Sequence, residues 1–120
     1  MDEYIDGYVF PIPTDRLEAY QALASAIAAV WLEHGALAYR EGRCVDPDLP
    51  GTADFPSQLA AGEDETIVFG WILFPSREIR DAAHERVAAD PRVAALMAAQ
   101  DTGFDAARMV YSGFRSFVEA

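Results

Sequence analysis

A chain of 120 residues with 52% apolar and 24% charged residues has the size and composition of one globular domain. Its formal charge of −11 argues against a nucleic-acid partner, because phosphate binding requires clustered cations. All nine basic residues are arginines, and the absence of lysine excludes Schiff-base chemistry and a P-loop.

Membrane, disulfide and metal signals are weak throughout the chain. No apolar run approaches the roughly 20 residues that span a bilayer, and the acidic N-terminus has no secretory signal pattern, so we expect a cytoplasmic protein. The single Cys44 excludes an internal disulfide. Residues Glu63 to Glu65 are three consecutive acids that do not share one face of a strand, so we expect no metal site, and the sequence indicates no cofactor.

Six segments in the order strand, helix, strand, strand, helix, strand fill residues 1–120 as a single domain. The predicted bounds are Asp2–Pro11, Thr14–His34, Leu37–Val45, Glu65–Phe74, Ser76–Ala89 and Arg108–Val118. This order predicts an α+β, ferredoxin-like βαββαβ fold with an antiparallel sheet.

The first helix shows one apolar face, and two further local signals follow it along the chain. Its stripe consists of Leu17, Tyr20, Ala24, Ile27 and Trp31, spaced three and four residues apart, with Thr14 as the expected N-cap. Residues 46–64 indicate a long connection with a helical turn at Ser57–Ala61. Asp90 and Pro91 predict a new short helix that ends near Ala99.

Side-chain alternation divides the predicted sheet into two unequal faces. One face is expected to carry Gly7 and Gly70 beneath the helices. The other is expected to carry the aromatic residues Tyr4, Tyr8, Phe10, Phe69 and Trp71. Two helices cover only one side of a sheet, so we expect a homodimer in which two aromatic faces close over each other.

Short motifs in a fixed order resemble the YbaA-like family of small bacterial proteins. The matching residues are Asp6-Gly7, Trp31, Glu33-His34-Gly35-Ala36, Glu63-Asp64-Glu65-Thr66, Trp71, Ser76-Arg77, Arg80-Asp81, Asp90-Pro91-Arg92, Arg108-Met109 and Gly113-Phe114. The resemblance implies a ferredoxin-like subunit of a dimeric α/β barrel. It implies no activity, although the wider barrel superfamily includes cofactor-free monooxygenases, haem-degrading enzymes and isomerases.

Asp6 is the first candidate catalytic residue. It shares a strand face with Tyr4 and Tyr8, and an unpaired buried carboxylate is costly. In a pocket such a group could act as a general base. The alternative is a carboxylate near the strand end that is solvated or paired with an arginine such as Arg108 or Arg115.

The two histidines are weaker candidates. His34 continues the apolar stripe of the first helix and could serve as a base or ligand; it could equally cap the last carbonyl groups of that helix. His84 lies beside Ala83 at the edge of the second helix's apolar stripe, as a pocket residue or as part of a solvated face.

The aromatic residues of the strands are the main candidates for a ligand pocket. Tyr8, Phe69, Trp71 and His84 are the residues expected to line it, although Trp71 could simply be a core residue. Haem-degrading members of the superfamily use an Asn, a Trp and a His on the first strand, third strand and second helix. Asp6, Trp71 and His84 occupy loosely similar positions, with a carboxylate in place of the amide.

The residues therefore support two functional hypotheses from different classes. The first is a small-molecule binding protein or cofactor-independent enzyme with a small apolar ligand in its barrel. The alternative is a non-catalytic homodimeric binding or interaction module in which the aromatic residues fill the barrel; a haem-binding or haem-degrading monooxygenase-like protein is a third, less favoured hypothesis. An enclosed pocket with convergent polar groups would separate the first two.

Overall fold

The computed structural model describes residues 2–120 and shows a four-stranded antiparallel sheet with its longer helices against one face. The strands are β1 (Tyr4–Pro13), β2 (Ala38–Arg43), β3 (Glu65–Phe74) and β4 (Val110–Arg115). The helices are α1 (Leu17–Glu33), α2 (Phe55–Gln58), α3 (Arg77–Ala89) and α4 (Pro91–Ala99). The sheet order is β2-β3-β1-β4, so the ferredoxin-like α+β fold predicted from the sequence is confirmed.

Local capping explains where most of the helices begin. The side chains of Ser76 and Asp90 accept hydrogen bonds from Ile79 N and Arg92 N, as expected for N-caps of α3 and α4. The prediction for Thr14 is wrong. A 3-10 turn at Thr14–Arg16 precedes α1, and no side chain caps the start of that helix.

The predicted division of the sheet into faces is wrong. Residues directly opposite in an antiparallel pair share a face, and the register places Tyr8 opposite Gly70 but Val9 opposite Phe69. Tyr4, Tyr8 and Phe10 therefore lie beneath the helices, with 9%, 9% and 1% of their surfaces exposed. The two remaining aromatic candidates of β3, Phe69 and Trp71, lie on the opposite face.

Gly70 makes this arrangement possible. A Cβ atom on Gly70 would lie 2.5 Å from Tyr8 Cζ, because the Tyr8 ring crosses β3 at that point. The side chain of Tyr8 thereby extends from β1 across β3 toward β2.

The face opposite the helices is apolar and only partly covered. Segment 46–64 lies against one end of it, where the rings of Phe55 and Phe69 pack with centroids 6.0 Å apart. Beyond that contact, Phe69, Val110 and Phe114 remain 47%, 62% and 54% exposed. We call this surface, which also includes Ile5, Trp71 and Leu73, the open face.

No helix among the described residues is long and apolar enough to cross a membrane. The described residues also contain no group of three histidine, cysteine or carboxylate side chains placed to hold a metal ion.

Candidate functional site

A cavity of about 350 Å³ lies between the sheet and the helices. Its apolar wall is built by Phe10, Leu23, Ala24, Ile27, Trp31, Ile72, Met97, Phe104 and Met109. Its polar groups are Asp6, Tyr8, Tyr20, Tyr39, Glu41, His84 and Tyr111. The volume and the mainly apolar wall are typical of small-molecule sites.

Asp6 and His84 form a hydrogen-bonded pair in this cavity. His84 Nε2 lies 2.6 Å from Asp6 Oδ2, and the Asp6 side chain is 2% exposed while that of His84 is 37% exposed. Because an ionised carboxylate only accepts hydrogen bonds, the proton of the neutral imidazole lies on Nε2. The lone pair of Nδ1 is then available, and no hydrogen bond to Nδ1 occurs within the described residues.

The second oxygen of Asp6 is bound as well. Tyr111 donates its hydroxyl proton to Asp6 Oδ1 over 2.6 Å. Burial, followed by the hydrogen bond to Asp6, raises the pKa of Tyr111 above its ordinary value. Tyr111 therefore stays neutral and keeps its proton directed at Asp6.

Arg80 balances the charge of Asp6 from behind the cavity. Its Nε lies 3.8 Å from Asp6 Oδ1 and 3.3 Å from Asp81 Oδ1, with hydrogen-bond geometry to neither. Its guanidinium stacks 4.6 Å from the centre of the Tyr4 ring and donates to the Tyr4 hydroxyl. Burial lowers the pKa of Arg80, but Tyr111, Asp6 and Tyr4 together raise it above the usual value.

His84 is fixed by aromatic packing. The ring of Trp31 meets it edge-on, with centroids 5.3 Å apart and planes at 69°. The rings of Phe74 and Tyr111 both lie with centroids 6.4 Å from it. The imidazole is thus held with one nitrogen on Asp6 and its ring at the cavity wall.

A second polar cluster surrounds Glu41. Tyr20 donates to Glu41 Oε1 over 2.7 Å, Tyr39 donates to Oε2 over 2.8 Å, and Tyr8 also donates to Oε2. Burial, followed by the negative charge of Glu41, raises the pKa of Tyr20 and Tyr39, and burial raises that of Tyr8. We call these four residues the Glu41 cluster.

The structure brings together some of the predicted site residues and separates others. Asp6, Tyr8 and His84 line the same cavity, whereas Phe69 and Trp71 lie on the open face. The arginine near Asp6 is Arg80, whose Nε lies 3.8 Å from Asp6 Oδ1, and Arg108 pairs with Glu65 instead. The haem-type grouping of Asp6, Trp71 and His84 is wrong, since the sheet separates Trp71 from the other two.

His34 has a different role from the one considered for catalysis. Its Nε2 lies 3.1 Å from Asp90 Oδ2 and connects the end of α1 to the start of α4. Hydrogen bonds from Arg92 and His34 hold the pKa of Asp90 well below its usual range. His34 does not line the cavity.

Sequence reasoning missed Glu41, Tyr39 and Tyr111 as site residues. The pattern of charges around Glu41 is typical of an edge strand, and β2 is indeed at the sheet edge. The available signal was the tyrosines, because all five tyrosine hydroxyls bond to Asp6, Glu41 or Arg80.

Comparison with protein families identifies relatives over the whole chain. A family model described as "Protein of unknown function (DUF1428)" matches residues 3–106. The uncharacterized protein YbaA of Escherichia coli strain K12 is 38% identical over 119 residues, which are 98% of each chain. YbaA of Shigella flexneri gives the same identity and coverage. The resemblance noted in the sequence is confirmed.

Solved structures with a similar fold share little sequence. A mutant form of SnoaB from Streptomyces nogalater, a cofactor-independent oxygenase, aligns with a TM-score of 0.58 and 14% identity over 99% of this chain and 97% of its own. A dimeric ferredoxin-like protein from an uncultured marine organism aligns with a TM-score of 0.61 and 11% identity over 98% of each chain. At these identities the likeness shows the fold alone.

Proposed function

This chain belongs to the DUF1428 family, a membership that assigns no reaction, and from the geometry of the cavity we propose that it is a small-molecule-binding, cofactor-independent enzyme whose general base is His84. The observation that carries the proposal is the pairing of His84 with the buried Asp6 at the wall of an apolar cavity. A positioned imidazole backed by a carboxylate is a common general base near neutral pH.

The proposed step is a proton transfer. Nδ1 of His84 takes a proton from an acidic O–H or C–H group of the bound molecule, and the electron pair of that bond stays on the ligand as a phenolate or enolate. Asp6 stabilises the imidazolium that forms and keeps the ring in the tautomer that leaves Nδ1 free. The mainly apolar wall contacts the rest of the bound molecule.

The likeness to SnoaB supports the same class of chemistry by analogy only. That protein is described as a cofactor-independent oxygenase, and the two chains share the fold over nearly their whole length. An enolate or phenolate is the electron-rich species that such an oxygenase would require. We therefore place proton abstraction first in the reaction and leave the second reactant to experiment.

A chromogenic phenol tests the proposed base. We expect nitrohydroquinone, a chromogenic phenol with a second hydroxyl at its far end, to bind in the cavity and to show phenolate absorbance at a lower pH than it does in water. His84→Gln should remove this shift, while His34→Gln, which alters the only other histidine, should retain it. Equal spectra for wild type and His84→Gln would overturn the proposal. Absence of any small-molecule binding, together with no retained ligand in native mass spectrometry, would favour the interaction-module hypothesis.

We also propose that a second copy of the chain covers the open face. Phe69, Val110 and Phe114 leave a contiguous apolar surface, and one protein of similar fold is described as dimeric. Light scattering should report twice the mass of 13.1 kDa. Trp71→Glu should give a folded monomer, whereas Leu32→Glu, at an exposed site on α1, should not. A wild-type monomer would overturn the dimer.

A further inference from the structure

The polar groups of the cavity are almost all hydrogen-bond acceptors, and this restricts what can bind. Tyr8, Tyr20 and Tyr39 each direct the hydroxyl proton to Glu41, so only the oxygen lone pairs remain for a ligand. At the other cluster, Tyr111 directs its proton to Asp6.

The remaining polar groups follow the same pattern. Neutral His84 gives its Nε2 proton to Asp6 and offers the lone pair of Nδ1. Among the described residues that line the wall there is no lysine, arginine, serine, threonine or amide side chain. The indole N–H of Trp31 is the one side-chain donor of the cavity wall without a hydrogen bond among the described residues.

The charges of the cavity wall further restrict which ligands can bind. Among the described residues, the cavity wall carries the two carboxylates Asp6 and Glu41 and no lysine or arginine side chain. The guanidinium of Arg80 lies close to Asp6 but outside the wall, stacked on Tyr4. A carboxylate or phosphate on the ligand would meet negative charge and unpaired lone pairs, both of which are costly in an apolar site.

We propose that the ligand is an uncharged aromatic molecule with a hydrogen-bond donor at each end, a dihydroxy-aromatic compound. One hydroxyl is placed at Nδ1 of His84 and the other at the tyrosine oxygens of the Glu41 cluster. The apolar wall contacts the ring, and Ile72 of this wall lies between Asp6 and Tyr39 in the sheet register. This assignment rests on the proposed function for the hydroxyl at His84; the hydroxyl at the Glu41 cluster is an independent binding contact.

Three para-substituted benzenes test the assignment by calorimetry or ligand-observed NMR. Hydroquinone donates at both ends, its dimethyl ether only accepts, and terephthalate is an anionic acceptor. We expect hydroquinone to bind at least about tenfold more tightly than the ether, since each donated hydrogen bond contributes to affinity. Terephthalate should bind more weakly still. Equal or tighter binding of the ether or of terephthalate, or no binding of hydroquinone, would overturn the ligand class.

Variants of the Glu41 cluster separate this inference from the proposed base. Glu41→Gln removes the charge that orients the tyrosine protons, so the preference for hydroquinone over the ether should fall several-fold. Tyr39→Phe, which keeps the carboxylate, should lower hydroquinone affinity and serves if Glu41→Gln fails to fold. Glu78→Gln, at an exposed site on α3, is the charge-matched control. If both variants keep the wild-type preference for hydroquinone over the ether, the inference is overturned. If His84→Gln loses proton transfer but keeps that preference, both proposals stand.

Discussion

His84 Nε2 lies 2.6 Å from Asp6 Oδ2, and this hydrogen bond places the proton of the neutral imidazole on Nε2. Asp6→Asn should reverse the arrangement. The amide oxygen would keep the hydrogen bond from Tyr111, and the amide NH₂ would then donate to Nε2 and move the imidazole proton to Nδ1. Nitrogen NMR of the His84 ring should report this change of tautomer.

The same substitution should destabilise the fold. Replacing a charge-assisted hydrogen bond at a buried site costs roughly 1–3 kcal/mol of the free energy of unfolding. Asp81→Asn is the control, because Asp81 faces the same Arg80 but its side chain is 58% exposed. Unchanged tautomer and stability in Asp6→Asn would show that the carboxylate does not position His84.

A substitution of Gly70, on β3, tests whether the Tyr8 side chain crosses that strand to reach Glu41. A Cβ atom at Gly70 would lie 2.5 Å from Tyr8 Cζ and 2.6 Å from its hydroxyl oxygen, so Gly70→Ala should displace Tyr8 from Glu41. Overpacking of this kind costs roughly 1–3 kcal/mol. The melting temperature and the affinity for hydroquinone should both fall.

Gly42→Ala is the matched control for that substitution. Gly42 also lies in a strand, and a Cβ atom there would meet no other atom within 4 Å. Its melting temperature should change little. Equal behaviour of the two alanine variants would mean that the Tyr8 ring does not cross β3 at Gly70.

The order of elements was predictable from sequence because each element carries its own local signal. The α1 stripe from Tyr20 to Trp31 has helical spacing, and Asp90 before Pro91 is an N-cap followed by a favoured first residue. These signals depend on residues close together in the chain.

The faces and the site were less predictable because they depend on register. The period of a strand is two residues, so a register error of one residue exchanges the faces of the sheet. The sequence alone does not show that Tyr8 pairs with Gly70 and Val9 with Phe69. Likewise, the meeting of Asp6 with His84 joins residues 78 positions apart.

Asp90 makes the stability of the helix junction pH-dependent. Hydrogen bonds from Arg92 and His34 lower its pKa in the folded state, so its contribution is present above the unfolded value of about 4 and is lost as pH falls through the folded value. Asp90→Asn retains an N-cap residue but removes the charge. The variant should melt below wild type at neutral pH, and the difference should shrink in acid below about pH 4. A difference that is constant from neutral to acidic pH would contradict an ionic role for Asp90.

The tyrosines of the Glu41 cluster should make the stability of the fold fall at alkaline pH rather than in acid. The pKa values of Tyr8, Tyr20 and Tyr39 are raised in the folded protein, so their stabilising contribution is complete below the unfolded value of about 10 and is lost as pH rises above it. Wild type should therefore show delayed tyrosinate absorbance, followed by ionisation coupled to unfolding. Glu41→Gln removes the negative charge beside the three hydroxyls, and its tyrosines should ionise at lower pH than those of Glu78→Gln. Superimposable alkaline titrations of these two variants would show that Glu41 does not hold the hydroxyl protons, and the acceptor character assigned to that end of the cavity would fall with it.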